Sequence, residues 1–172
     1  MLLNLAELPP PTSRLVNIPD GLAGVRRTLK YMVALTRKGK LSLNVRLAAI
    51  QILEQAQLLQ RDRASIIGAL HAFVRDRIRY VNDIRGVETL QDADRTLQMR
   101  AGDCDDKSIL LASLLEALGY KTRFHAVGFQ PGVLSHVFPE VWHGTSWLPL
   151  ETTENWEPGR GPDAVTHMVQ NV

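Results

Sequence analysis

The sequence predicts an α+β fold: an N-terminal helical bundle, then one helix packed on a small antiparallel sheet. Two observations carry that prediction. Up to Leu118 the apolar residues recur every three or four positions, as on helix faces, and from Lys121 onward they fall into short strand-like runs separated by turn residues. With 172 residues, 45% of them hydrophobic, the chain can bury one good core and is too short for two full domains, so residues 1–172 are expected to form a single domain.

Residues 1–21 contain Pro9-Pro10-Pro11, which forbids regular helix and favours an extended arm, a strap or a partner-binding tail. A helical front follows over residues 22–79. Its first helix, Leu22 to Arg37, has Leu22, Val25, Leu29, Met32, Val33 and Leu35 as its stripe, with Gly39 where a terminator falls. Ser42 can cap a second helix on which Val45, Leu47, Ala48, Ile50, Ile52, Leu53, Ala56 and Leu59 recur. A third runs from Ala64 to Arg79 on Ile66, Ile67, Leu70, Phe73, Val74 and Ile78. Residues 80–153 form the core that carries the chemistry. Tyr80 to Arg100 is polar and broken by Gly86, a loop with a short helix around Asp92 to Gln98. Cys104 to Leu118 is the best-specified helix, with Ile109, Leu110, Leu111, Leu114 and Leu115 inside it and Gly119 at a left-handed cap position. Strands are expected at Lys121 to Phe129, Ser135 to Trp142 and Ser146 to Leu150, and residues 154–172 as a loose tail.

The formal charge is +2, but Arg14, Arg26, Arg27, Lys30, Arg37, Lys38, Lys40 and Arg46 all precede position 47. This basic front lacks interleaved aromatics and any groove-reading motif, which argues against nucleic acid and for a solvated helix face or a surface that docks to a partner protein. One cysteine cannot make an internal disulfide. Neither a charged-then-apolar leader nor a long uncharged apolar run is present, so a soluble protein without a membrane span, made in a reducing compartment, is expected.

That cysteine lies in MRAGDCDDKS, Met99 to Ser108, among three carboxylates. At a helix start, unpaired N–H groups and the dipole favour a thiolate, whereas Asp103, Asp105 and Asp106 oppose it. Two readings stand: Asp103 is an N-cap and Cys104 a packing residue, or Cys104 is a nucleophile that needs a base and a group to orient it. The hairpin LSHVFPEVWHGTSWLPLET tests the second. If it turns at Gly144-Thr145, Trp142 faces Trp147, Glu140 faces Pro149 and Phe138 faces Glu151, so His136, Phe138, Glu140, Trp142, Trp147, Pro149 and Glu151 share one face. Val137, Pro139, Val141, Leu148 and Leu150 form the apolar face. His136 and Glu151 become diagonal neighbours, roughly 7–8 Å apart at Cβ, while Glu140 lies roughly 13 Å along the strand; a bulge at Pro139 would flip this parity. A third reading makes Asp103, Cys104, Asp105, Asp106 and the histidines metal ligands, but adjacent aspartates around one cysteine converge poorly on one ion, so no metal or cofactor is expected. His71, His125, His143 and His167 receive no role.

Gly102-Asp103-Cys104 opening a helix, a strand with His136, and an acid after Trp147-Leu148-Pro149-Leu150 together resemble the transglutaminase-like superfamily, with papain's core layout, over Ile78 to Thr153. Tyr80-Val81-Asn82-Asp83, the GDCDD run, Gly119-Tyr120-Lys121-Thr122-Arg123 and the basic front are similar in particular to small phage and prophage members. The resemblance implies Cys104 as nucleophile, His136 as base and Glu151 as third member, where the family usually has aspartate. It also implies an oxyanion donor beside the Cys104 N–H, with Gln98 and Tyr80 as candidates. The activity implied is a cysteine-dependent hydrolase of peptidase or amidase type, acting through a thioester on a protein or peptide, peptidoglycan included, with hydrolysis expected over cross-linking. The alternative is a non-catalytic assembly part of a phage virion or tail, docked to other phage structural proteins by its basic helices and Pro-rich arm, made in the host cytoplasm and carried in the virion.

Overall fold

The computed structural model describes residues 16–58, 62–83 and 89–172; the Pro9–Pro11 run, Leu59 and Gly86, on which parts of the expected arm, second helix and loop rested, lie outside them. Among the described residues the elements are α1 (Gly21–Gly39), α2 (Leu43–Gln55), α3 (Arg63–Arg77), β1 (Arg79–Tyr80), α4 (Ala93–Met99), β2 (Ala101–Gly102), α5 (Cys104–Ala117), β3 (Thr122–Gly128), β4 (His136–Trp142), β5 (Trp147–Pro149) and β6 (Thr166–Asn171).

Four of the five described helices, all but α1, start where a short polar side chain covers a free N–H group. Ser42 accepts from the Val45 N–H, Asp62 from Ser65 and Asp92 from Arg95. Helix α5 ends as expected, with Gly119 at φ +84°. Every residue of α5 from Asp105 to Leu115 is buried, because α1, α2, α3 and α4 pack around it and β3 and β4 cover the remaining side. Leu110, Leu111, Leu114 and Leu115 share one core with Val45, Ala49, Ile67, Leu70 and Val74. Ile109 and Ala112 share another with Leu29, Met32, Phe124 and Val137. Each of the larger of these side chains contributes roughly 1.5–3 kcal/mol by leaving water, so the helix that begins with Cys104 is fixed from all sides.

The main sheet is antiparallel, in the order β5-β4-β3-β6. Its β4–β5 register is the expected one, Trp142 opposite Trp147, Val141 opposite Leu148 and Glu140 opposite Pro149. The β3–β4 pairing runs unbroken from Thr122↔Val141 to Val127↔His136, so Pro139 introduces no bulge. Val137, Val141 and Leu150 enter the core from one face of the sheet. The opposite face is covered too, since Phe138 is 2% exposed and the chain at Gly161 lies over its ring.

Three expectations are corrected. Helix α3 stops at Arg77, not Arg79, because Ile78 turns extended and the next residues pair in parallel with β2, Arg79 N–H to Arg100 O at 2.9 Å and Val81 N–H to Gly102 O at 3.1 Å. Gly39 is no terminator. The helix passes through it into right-handed Lys40, and a Cβ there would lie 2.4 Å from Ser113 Oγ, so glycine is needed for α1 to approach α5. The tail is not loose, because Thr166–Asn171 forms edge strand β6 on β3. Its THMVQN sequence lacks apolar alternation, and its register comes from backbone pairing that only the folded sheet offers. The basic front is mostly solvent-exposed at Arg26, Arg27, Lys30, Arg37, Lys38 and Arg46, and two of its lysines also pair within the chain, Lys38 donating to Asp92 at 2.8 Å and Lys40 to Glu116 at 3.2 Å.

Candidate active site

The three carboxylates around Cys104 have three separate destinations. Asp103 is the N-cap of α5, its Oδ1 accepting from the Asp105 N–H at 3.0 Å and the Asp106 N–H at 3.1 Å. Asp106 folds back under Gly102, where a Cβ would lie 2.5 Å from the Asp106 Cβ, and accepts from the Gln91 N–H at 2.7 Å and Nε2 at 2.6 Å. Asp105 takes the thiol: Cys104 Sγ donates to its Oδ1 at 3.6 Å. Burial first, then the charges of Asp105 and Asp103, push the Cys104 thiol up, and the Val137 N–H beside it pulls the other way without prevailing. Burial and the two carboxylates together hold the proton on the half-buried sulfur.

His136 opens β4, and its Nε2 lies 2.5 Å from Glu151 Oε2, so the diagonal pair read from strand parity is formed. Glu151 is 1% exposed and held on three sides. Its Oε1 accepts from the Thr153 N–H at 2.6 Å and Oγ1 at 2.7 Å, and its backbone carbonyl accepts from His71 Nε2 at 2.5 Å. Burial works against this carboxylate, but His136 and Thr153 outweigh it and keep its pKa below the ordinary range. Glu140 belongs to a separate network, accepting from Arg123 Nε and from His125 Nδ1 at 2.9 Å; His125 in turn meets His167 Nδ1 at 3.1 Å.

Of the two oxyanion candidates, Tyr80 lies within electrostatic reach of Cys104, Asp103, Asp105 and Glu151, while Gln98 Oε1 accepts from Arg95 Nη1 at 3.1 Å along its own helix. Three residues without an expected role support the site. Lys107, one turn after Cys104 and 2% exposed, donates to Ile78 O at 3.0 Å and Arg75 O at 3.3 Å; burial lowers its pKa to about 8, with Glu151 opposing. His71 lies behind Glu151, fully buried, and burial pushes its pKa down so that it stays neutral. Thr153 clamps the acid. Only His71 left a signal in the sequence, a polar residue on the stripe of Ile67, Leu70 and Val74, where burial requires a partner. Among the described residues no group of three or more His, Cys, Asp or Glu converges to hold a metal ion, and no helix is long and apolar enough to cross a membrane.

A cysteine opening a buried helix, packed on an antiparallel sheet that carries a histidine and its acid, defines a papain-like α+β core. The profile of the transglutaminase-like superfamily matches residues 51–152, more than half of the chain, and the chain belongs to that superfamily. The fold is also similar to the crystal structure of a proposed cysteine protease from Cytophaga hutchinsonii, at 16% sequence identity and a TM-score of 0.50 over 72% of this chain; the match spans half the length of that protein. No curated protein sequence matches the chain significantly. The narrower resemblance to phage and prophage proteins has no counterpart in these comparisons.

Proposed function

We propose that the protein is a cysteine hydrolase of peptidase or amidase type. The observation that carries this reading is the His136–Glu151 pair, whose acid is buried and triply anchored, at the start of the strand whose next backbone N–H, that of Val137, meets the Cys104 thiol. Glu151 occupies His136 Nε2, which leaves Nδ1 to receive the thiol proton. In the resting state that proton points at Asp105, so attack begins with rotation of Sγ toward the ring; catalytic hydrogen bonds commonly close only when substrate is bound. Sγ then forms a bond to the carbonyl carbon, the Cys104 N–H and the Tyr80 hydroxyl stabilise the oxyanion, and the C–N or C–O bond breaks as His136 returns the proton to the leaving group. Water, deprotonated by His136, releases the acid and regenerates the thiol.

The test uses p-nitrophenyl acetate with mass spectrometry. An acetyl adduct on Cys104, absent in Cys104→Ala and formed much more slowly in His136→Ala, is the expected result. Acetylation at an unchanged rate in His136→Ala would sink the triad. Transfer of the acyl group to an added amine without hydrolysis would make the protein an acyltransferase instead.

A further inference from the structure

A cleft of about 430 Å³ opens between the C-terminal end of α3, β1 and residues 152–155. It adjoins the site described above, because Tyr80, within reach of Cys104, and Thr153, which holds Glu151, both line it. Its charge is lopsided. Arg75, Arg77, Arg79 and Lys107 face it against Asp76 and Glu154. Arg75 is already engaged, with Nε and Nη2 on the two Asp76 oxygens at 2.7 and 3.1 Å and Nη1 on Glu157 at 3.1 Å, so Asp76 is neutralised in place.

Arg77 and Arg79 are different. Both side chains are exposed, and neither forms an ion pair among the described residues. Beneath them Lys107 adds a cation that cannot turn away, since its ammonium is fixed on the Ile78 and Arg75 carbonyls. Two guanidiniums with no ion pair among the described residues and a fixed buried ammonium outnumber the carboxylates that line the cleft, Asp76 and Glu154, and make its mouth positive, although Glu151 acts on Lys107 from the side of the active site. A guanidinium without a partner matches a carboxylate by its fork of donors.

We infer that this cleft is a substrate subsite that binds the carboxylate of an acidic residue, so that the preferred substrate is a peptide carrying glutamate or aspartate on the amine side of the attacked carbonyl. The inference rests on the reading of Cys104 as nucleophile, and it adds the substrate class. Arg77 and Arg79 are its specificity determinants and touch none of the reacting atoms.

The experiment compares alkylation of Cys104 by chloroacetyl-Glu-Glu-amide and by its Gln-Gln counterpart, which carry the same electrophile and differ in charge alone. The acidic reagent should react roughly tenfold faster at low salt, and that preference should collapse between about 0.02 and about 0.5 M salt. In Arg77→Gln/Arg79→Gln the preference should disappear while the rate with the Gln-Gln reagent holds. Equal rates in the native protein, or a preference that survives the double substitution, would overturn the inference while leaving the nucleophile intact. If the thiol reacts with neither reagent, the hydrolase reading fails separately. Calorimetry of acetyl-Glu-Glu-amide with Cys104→Ala then decides the subsite: binding lost on substitution of Arg77 and Arg79 supports it, and absence of binding overturns it.

Discussion

At the scale of single residues, the site depends on which charge stands nearest the sulfur. Asp105 accepts the thiol's hydrogen bond and, after burial, contributes most to holding the proton on Cys104. Replacing it by asparagine removes a negative charge and lowers the thiol pKa, so iodoacetamide should label Asp105→Asn faster at pH 7, by about tenfold for each unit of pKa lost. Labelling at the native rate would mean that Asp105 does not set the thiol's protonation. Glu151 carries one methylene more than aspartate, and the geometry says why the longer side chain suits this chain. His71 pins the Glu151 backbone, so the carboxylate must reach His136 from a fixed Cα. Glu151→Asp withdraws the carboxylate by about 1.5 Å, and hydrolysis should fall by roughly 10²-fold. Glu151→Gln preserves length but not charge and should cost more, because an amide cannot stabilise the imidazolium. Activity of both variants at the native level in the ester assay would remove Glu151 from the mechanism.

At the scale of elements, two contacts decide how the helices and the sheet are held. Helix α1 reaches α5 through Gly39, with no room for a methyl group against Ser113. Gly39→Ala should destabilise the protein by about 1–3 kcal/mol through overpacking, read from urea unfolding, and adding Ser113→Gly should recover part of the loss. Strand β6 closes one edge of the sheet, and its Met168 packs against the core formed by α1, α5 and β3. A chain ending at Val165 bares the β3 backbone and should melt earlier and self-associate in light scattering, since an unpaired edge is a template for another chain. A monomer of unchanged melting temperature would show that β6 contributes nothing to the sheet's integrity.

At the scale of the whole molecule, two buried groups beside the thiol give stability an uneven response to pH. Burial raises the Asp106 carboxyl from 3.8 to about 7, so across that window the folded chain keeps a proton that the unfolded chain has lost, and stability from this group falls as pH rises. Burial lowers Lys107 from 10.5 to about 8, so between these values the unfolded chain binds the extra proton and stability rises with pH. Urea unfolding at about pH 4, 7 and 10 should show Asp106→Asn gaining on the native protein from about pH 4 to 7, and the native protein gaining on Lys107→Met from about pH 7 to 10. Parallel curves would refute both shifts. The pattern of residues by itself determined the helix starts, the capped nucleophile helix, the strand parity and the meeting of His136 with Glu151, because period, cap and turn are local properties of a chain. Tertiary structure alone decided the rest. Strand β6 exists because β3 offers it a backbone to pair with, and Gly39 is needed because α5 passes within a methyl's width. His71 braces Glu151 because distant segments bury them together, and the thiol keeps its proton because folding buries it beside Asp105 and Asp103.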